Sequence, residues 1–424
     1  MISDVNNVPE SPAPAASEPF VLGDPARAAL VARAKTRHDP EIVDRLVRGM
    51  CRGDAIGDAA VETVFAMPGR SGWDLLDRAL ADGLEAVPDA PNSVRELVEQ
   101  VTRPPSWVDF ERVRRGAIVW WRFSSATRGA SVTSLVLGYQ HGDLIKALAL
   151  NGRLVDRSAR RVEETARWVA LAAEPGGMAI GAPGFRETVR VRLVHAMVRR
   201  SLRRSGRWDD LHWGAPVHAA AGSRTLSAFL IPGVRTLRTL GIEYTRDELD
   251  ALCQLWSWVG YVMGVPEELL PRSLELAEEL RHIGSEIYFG PDEDSERLMA
   301  ALREQVVHAE YLLPPRFREW GRPYARKAIA YVTLAMCRPL VVAFSSEAAA
   351  DAARLPRGPI SHWPTFVRPI ARAREAARRR GWLGSDEEIS KRQRASFLRT
   401  LERLEAPPTI AAEDIRSGEE MRAS

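Results

Sequence analysis

Apolar residues recur three and four positions apart along most of this chain, which is the spacing that places side chains on one face of an α-helix. The first such helix begins after Asp24, because Asp24 can cap a helix and Pro25 suits its first turn. Proline and glycine divide the rest of the pattern into separate helices. The predicted helices after the first cover residues 43–50, 59–65, 74–81, 93–101, 110–137, 158–173, 185–205, 223–240, 247–263, 271–287, 294–310, 323–340, 367–380 and 386–405.

Strand signals are nearly absent, and the alternation at 189–193 is outweighed by its helical flanks. The sequence therefore predicts an all-α protein with a single large helical domain over residues 23–405. Residues 1–22 are rich in proline, serine and acidic side chains, so we expect a disordered leader there. We expect the charged segment 406–424 to form a disordered tail.

Composition narrows the functional classes. The 424 residues carry a net charge of +3, and the 55 arginines and four lysines are interleaved with 56 acidic residues, which argues against a nucleic-acid-binding groove. Three cysteines without a CxxC pair exclude a disulfide scaffold. The start of the chain lacks the features of a secretory signal, and no apolar run reaches the length of a membrane span. We therefore expect a cytoplasmic protein without a membrane span.

Candidate chemistry centres on His195, because the sequence has no phosphate-binding loop, dinucleotide fingerprint, HExxH or GxSxG motif. Val191, Val198 and Leu202 fall on the same side of its predicted helix, so the imidazole is expected to point into the core. The alternative is a structural histidine whose ring is hydrogen-bonded to a carbonyl or a side chain.

A second candidate group lies on the preceding helix, where Arg161, Glu164, Thr165 and Trp168 share one side. The alternative here is a solvated face with an Arg161–Glu164 ion pair, although Trp168 argues against full exposure. Further along, Thr245-x-x-Glu248 predicts a capping box at the start of an apolar helix. Gly260 and Gly264 near the end of that helix are expected to allow close packing.

These residues together resemble the family of latex clearing protein (rubber oxygenase) and the fungal MpaB-type oxygenase. The resemblance rests on Arg161-x-x-x-Thr165, on His195 30 positions after Thr165, and on the string Leu-Gly … Thr-x-x-Glu … Leu-Trp … Gly-Tyr-x-x-Gly-Val … Pro within residues 225–271. It covers approximately residues 110–340.

The resemblance implies a globin-like core around a haem b, with His195 as the metal ligand. It places Arg161 and Thr165 at the haem pocket as cofactor-binding residues, and Arg161, Glu164 and Thr165 as catalytic candidates. It implies O2 as co-substrate and the cleavage or oxidation of a C=C bond in a small hydrophobic substrate, isoprenoid-like or lipid.

The sequence also departs from the family. Some rubber oxygenases have a lysine where this chain has Glu164, so Glu164 is expected to act as an acid/base group or as an ion-pair partner of Arg161. The glutamate that those enzymes carry on the preceding helix is missing, and Asp143 and His141 are the nearest substitutes. Those enzymes are exported, so polymeric rubber is not the substrate we expect.

Two other functions stay open. One is a haem-free helical scaffold that binds a hydrophobic ligand or a protein partner. The other is haem–thiolate chemistry through Cys253, which has no electropositive surroundings in the sequence. The arginine-rich helix near 367–380 could contact acidic lipid or nucleic acid, but pairing with Glu375 and the acids at 386–388 is the expectation.

Overall fold

The computed structural model describes residues 19–122, 133–134, 136–150, 158–307 and 322–402, with side chains for all of these except 158–162, 303–307, 322–330 and 400–402. The described residues form α-helices and short 3-10 turns and contain no strand, which confirms the all-α prediction. The helices are α1 Pro25–Lys35, α2 Pro40–Met50, α3 Ala55–Ala66, α4 Ser71–Asp82, α5 Asn92–Thr102, α6 Phe110–Trp121, α7 Gly142–Ala149, α8 Ser158–Ala172, α9 Pro183–Arg204, α10 Asp210–Trp213, α11 Ala219–Thr239, α12 Arg246–Val262, α13 Leu274–Ile287, α14 Glu293–Val307, α15 Arg322–Phe344, α16 Glu347–Ala352, α17 Trp363–Arg379 and α18 Asp386–Glu402.

Helix ends follow the local capping chemistry. The Asp24 side chain accepts hydrogen bonds from the first turn of α1, where Pro25 has no N–H to satisfy. Thr245 and Glu248 form the predicted capping box at the start of α12. The short helices α7 and α16 were not predicted, because eight and six residues give little periodicity to detect. The predicted disordered ends lie outside the described residues, apart from 19–22.

The centre of the fold is the crossing of α6 and α12, which is set by a glycine. A Cβ on Gly116 would lie 2.2 Å from the carbonyl oxygen of Ala251. The predicted close packing at Gly260 is confirmed, since its Cβ would lie 2.3 Å from Leu226 of α11. Gly264 differs from the prediction, because its φ of +86° makes it a turn residue after α12 as well as a close contact.

Helix α11 contains a proline in its interior. Pro232 has no N–H, so the carbonyl oxygen of Ala228 loses its donor within the helix. The hydroxyl of Ser134 donates to this oxygen at 2.7 Å. A side chain from a distant segment therefore completes the backbone hydrogen bonding of α11.

Candidate functional site

The candidate residues lie on an antiparallel pair of helices, α8 and α9. The pair is close at its turn, because a Cβ on Gly184 would lie 2.3 Å from the carbonyl oxygen of Leu171. One turn further, the Trp168 indole donates a hydrogen bond of 3.0 Å to the Thr188 hydroxyl. These two contacts fix the register of α8 against α9.

In this register, Arg161 and His195 lie at the same level, each seven residues beyond the Trp168–Thr188 contact. Thr165 is exposed and Glu164 is half-buried, while the side chain of Arg161 lies outside the described residues. Trp168 is 5% exposed, which agrees with the expectation that this side of α8 is not fully solvated.

His195 is half-buried, whereas the sequence pattern predicted an imidazole pointing into the core. The buried apolar side of α9 is formed instead by Phe185, Val189, Leu193 and Ala196. This side is rotated from His195 because α9 packs against both α8 and α3. Of the predicted stripe, Val191 and Val198 are half-buried at its edge and only Leu202 is buried. The imidazole therefore lies at a boundary of the core.

Two buried arginines flank His195 on α9. Arg192 donates to both carboxylate oxygens of Asp54, at 2.6 and 2.8 Å, and Arg199 donates to Asp58 at 2.7 Å. Burial alone would raise the pKa of Asp54, but the hydrogen bonds and charge of Arg192 outweigh it and lower the pKa. These ion pairs fix α9 against the start of α3 on both sides of the imidazole.

The sequence analysis did not identify this role of Arg192 and Arg199, because their carboxylate partners are distant in sequence. A signal was present in the spacing. Arg192 and Arg199 are two helical turns apart, and Asp54 and Asp58 are one turn apart, so each pair can present two charges on one face.

An aromatic wall extends from α8 towards the centre of the fold. The ring of Trp168 contacts that of Phe229 of α11. Phe229 stacks on Trp256 of α12 with 4.8 Å between ring centroids, and the centroids of Trp256 and Trp120 of α6 are 6.0 Å apart. The indole N–H groups of Trp120 and Trp256 are buried and have no hydrogen-bond partner among the residues that the structure describes. This wall provides an apolar boundary beside the α8–α9 pair.

The donor chemistry fits a haem better than a metal ion held by protein ligands alone. Within the ranges described above, no three His, Cys, Asp or Glu side chains form a group that could hold a metal ion. Haem iron is held by its porphyrin and needs one axial protein ligand, which an imidazole such as that of His195 can provide. Burial raises the pKa of Cys253 to about 12, so a thiolate ligand at that position is disfavoured.

The proposed substitutes for the missing glutamate lie at the start of α7. Asp143 is buried in an ion pair with Arg27 of α1, and burial raises the pKa of Asp143 despite that charge. Burial lowers the pKa of His141 to about 3. His218, which the sequence analysis did not single out, is 3% exposed and lies against the ring of Tyr288.

Comparison with known proteins adds three findings. The sequence model of the family described as "ER-bound oxygenase mpaB/B'/Rubber oxygenase, catalytic domain" matches residues 119–379. The rubber oxygenase of Streptomyces sp. (strain K30) is 27% identical over 213 residues, which are 48% of this chain and 49% of that protein. The chain thus spans about half the length of this curated relative.

The third finding concerns the fold. The solved structure of latex clearing protein LCP in the closed state superimposes with a TM-score of 0.54 at 18% sequence identity. The match covers 82% of this chain and 91% of the other. In the part of the chain that the structure describes, no helix is long and apolar enough to cross a membrane.

Proposed function

Because the chain belongs to the family of MpaB and rubber oxygenase catalytic domains, which are oxygenases, we propose that it is a haem b-dependent enzyme that uses O2 to cleave or oxidise a C=C bond. The proposed substrate is a small hydrophobic molecule, isoprenoid-like or lipid. The observation that carries the proposal is that Arg161 of α8 and His195 of α9 lie at the same height along the paired helices, within the range that the family model matches.

In this proposal the imidazole of His195 would hold the haem iron. When bound, the haem supplies the metal that activates O2. The Asp54–Arg192 and Asp58–Arg199 pairs hold α9 in place, so the backbone position of His195 is fixed before any ligand arrives.

The residues of α8 perform the remaining tasks. Arg161, at the level of the ligand, binds a carboxylate of the haem or orients the substrate. Glu164, half-buried on the same side, holds or moves a proton, and the Thr165 hydroxyl orients the substrate. The wall that includes Trp168 and Phe229 excludes water and receives the hydrocarbon.

Absorption spectroscopy tests haem binding. We expect the purified protein to show a Soret band that shifts on reduction with dithionite and addition of CO. His195→Ala should abolish haem uptake, whereas His362→Ala, which removes an exposed histidine from a 3-10 turn, should not. Colourless wild-type protein that takes up no added haem would overturn the proposal in favour of a haem-free scaffold.

Product analysis tests the reaction. Incubation of the haem-loaded enzyme with a short oligoisoprene and O2 should yield products with new aldehyde and ketone ends, detected by mass spectrometry. The matched control is the His195→Ala variant under the same conditions. Haem-loaded enzyme that leaves both oligoisoprenes and unsaturated lipids unchanged would contradict the proposed activity.

A further inference from the structure

Helices α11 and α13 run antiparallel and are joined by contacts at both ends. His218, which caps the start of α11, lies 6.2 Å from the ring of Tyr288 at the end of α13. Near the opposite end, Arg235 of α11 donates to Glu278 of α13 at 3.1 Å. The facing sides of α11 and α13 between these two contacts form a boundary that we call the seam.

Two arginines lie along this seam, Arg224 on α11 and Arg281 on α13. Neither guanidinium has a hydrogen bond or an ion pair with any residue that the structure describes, and the Nε atom of each is buried. Arg281 is 7% exposed and lies over the ring of Phe344 at 4.7 Å. An unpaired buried cation is costly, so each of these positions calls for a negative charge.

The other buried arginines of the described ranges differ from Arg281 in this respect. Each of them forms an ion pair with at least one aspartate or glutamate. The pairs are Arg27–Asp143, Arg122–Glu248, Arg192–Asp54, Arg199–Asp58 and Arg338–Asp351. Each buried arginine in these five pairs is therefore neutralised by a carboxylate of the same chain, whereas Arg281 is not.

Further unpaired donors lie at the Tyr288 end of the seam. The Nδ1 atom of His218 accepts a hydrogen bond from the backbone N–H of Ala221. Because burial keeps this ring neutral, its proton is on Nε2, which is buried and has no partner within the described ranges. The Tyr288 hydroxyl is also buried and makes no hydrogen bond to that part of the chain.

The charge of Asp143 acts on Arg224 only from a distance, because its carboxylate is bound to other groups. Its Oδ2 accepts from Arg27, its Oδ1 accepts from the backbone N–H of Leu144, and it makes no hydrogen bond to Arg224. Burial and the charges of Arg235 and Arg224 lower the pKa of Arg281 to about 10, which reflects the excess positive charge. The seam thus holds surplus donors and surplus positive charge together.

We propose that the seam between α11 and α13 binds an oxyanion of the carboxylate or phosphate class, with Arg224 and Arg281 as its cationic ligands. His218 Nε2 and the Tyr288 hydroxyl donate further hydrogen bonds at one end. Arg224 is half-buried as a residue and its Nε atom is buried, so an anion bound there is largely enclosed by protein. The occupant is either a free oxyanion or a carboxylate carried by the proposed haem.

Thermal unfolding of the haem-free full chain tests the site. Inorganic phosphate, added at constant ionic strength, should raise the unfolding temperature of the wild type. Arg224→Gln should weaken this response about tenfold or more, since a charge-assisted hydrogen bond is lost. Without phosphate, Arg224→Gln should be at least as stable as the wild type, because an uncompensated charge is removed.

The matched control is Arg33→Gln, which removes an exposed arginine of α1 without a carboxylate partner among the described residues and should leave the phosphate response unchanged. Arg281→Met is a second variant, in which the charge is removed while an unbranched apolar side chain still packs against Phe344. No phosphate response in the wild type, or an equal response in Arg224→Gln and Arg281→Met, would overturn a free-oxyanion site.

Haem titration distinguishes the two sources. If a haem carboxylate is the occupant, Arg224→Gln weakens binding of haem b but not of its dimethyl ester, and haem loading abolishes the phosphate response. If the oxyanion is free, phosphate also stabilises the loaded protein, and Arg224→Gln leaves the affinities for haem and ester unchanged. A protein that fails in both assays refutes the site, whereas the Soret band of His195 variants tests the proposed function separately.

A second and independent observation concerns α17, whose surface carries large apolar side chains. Phe366 and Ile370, one turn apart, are 73% and 70% exposed, and Trp382 just after the helix is 74% exposed. The predicted pairing of the arginine-rich helix is confirmed for Arg378 and Arg379, which both bind Glu375.

Two arginines of this surface, Arg374 and Arg380, have no carboxylate partner within the described ranges. Arg368 and Arg372 lie on the other side of α17, against Gly241. Exposed aromatic and aliphatic side chains beside unpaired arginines are the composition of helices that lie in the interface of an anionic bilayer. We infer that this face of α17 binds a membrane surface that carries anionic phospholipid.

Co-sedimentation with vesicles tests this surface. The full chain should bind vesicles of phosphatidylcholine mixed with phosphatidylserine, and Phe366→Ser with Ile370→Ser should weaken binding by about tenfold or more. Ile180→Ser, at another exposed apolar residue, is the control. Absence of binding would overturn the inference, as would self-association that the double variant abolishes, because a second copy would then cover the face.

Discussion

Arg192, which lies three residues before His195 on α9, donates hydrogen bonds to both carboxylate oxygens of Asp54. The guanidinium is 1% exposed, so this pair is part of the core rather than of the surface. The orientation of the candidate iron ligand therefore depends on a carboxylate that is distant in sequence.

Removing this carboxylate should be costly. Asp54→Asn leaves the Arg192 charge buried and unpaired, so we expect a loss of about 3–5 kcal/mol in the free energy of unfolding, measured in urea. The control is Asp77→Asn, because the Asp77–Arg190 pair is partly exposed and worth about 0–1 kcal/mol. Equal losses in both variants would contradict the structural role given to Asp54.

Adjacent glutamates on α8 allow a matched test of catalysis. Glu164→Gln should lower oxygenase turnover about a hundredfold, the usual contribution of a general acid or base, with an unchanged Soret band. Glu163→Gln should leave turnover nearly unchanged, since Glu163 pairs with Arg167 along the helix. Turnover that is equally reduced in both variants would exclude a specific proton-transfer role for Glu164.

The crossing of α6 and α12 predicts a large effect from a single methyl group. Gly116→Ala places a Cβ against the carbonyl group of Ala251, so we expect a loss of about 1–3 kcal/mol or more from overpacking. Gly290→Ala is the control, because no atom lies within 4 Å of its added Cβ. Thermal unfolding of the two variants measures the difference, and similar midpoints would count against the crossing.

Buried neutral histidines predict a pH dependence of stability. Burial lowers the pKa of His218 from 6.5 to about 3, so the unfolded chain binds a proton below pH 6.5 that the folded chain does not bind. Stability therefore falls as the pH decreases from 6.5 towards 3. His218→Asn keeps an acceptor for the cap of α11 and should flatten this slope by about 1.4 kcal/mol per pH unit between about pH 4 and 6.

Urea unfolding in phosphate-free buffer at several pH values measures the slope. His362→Asn, at an exposed position, is the matched control. A slope in the His218→Asn variant that equals that of the wild type would mean that His218 titrates alike in both states.

The predictable part of the fold is the part that local chemistry determines. The capping box depends on Thr245 and Glu248, which are three residues apart in sequence. The close packing at Gly260 depends only on its lack of a side chain. The order of the long helices follows from apolar periodicity in the same way. The resemblance to the oxygenase family could be stated from the spacing of a few residues.

Burial of polar side chains could not be predicted in this way. Arg192 is buried because Asp54 lies opposite it, and the residues near Arg192 in sequence do not indicate that Asp54 is its partner. The same holds for His218 against Tyr288, and for the boundary position of His195 on α9. Each depends on which helices meet, and therefore on the tertiary structure.

The proline of α11 links the order of folding to the assembly of distant segments. Until Ser134 reaches the carbonyl group of Ala228, one peptide group in the middle of α11 has no intramolecular donor. We therefore expect the interior of this helix to complete its hydrogen bonding only when Ser134 has reached it. Amide protons around Pro232 should exchange with deuterium together with those near Ser134, as one cooperative unit rather than two.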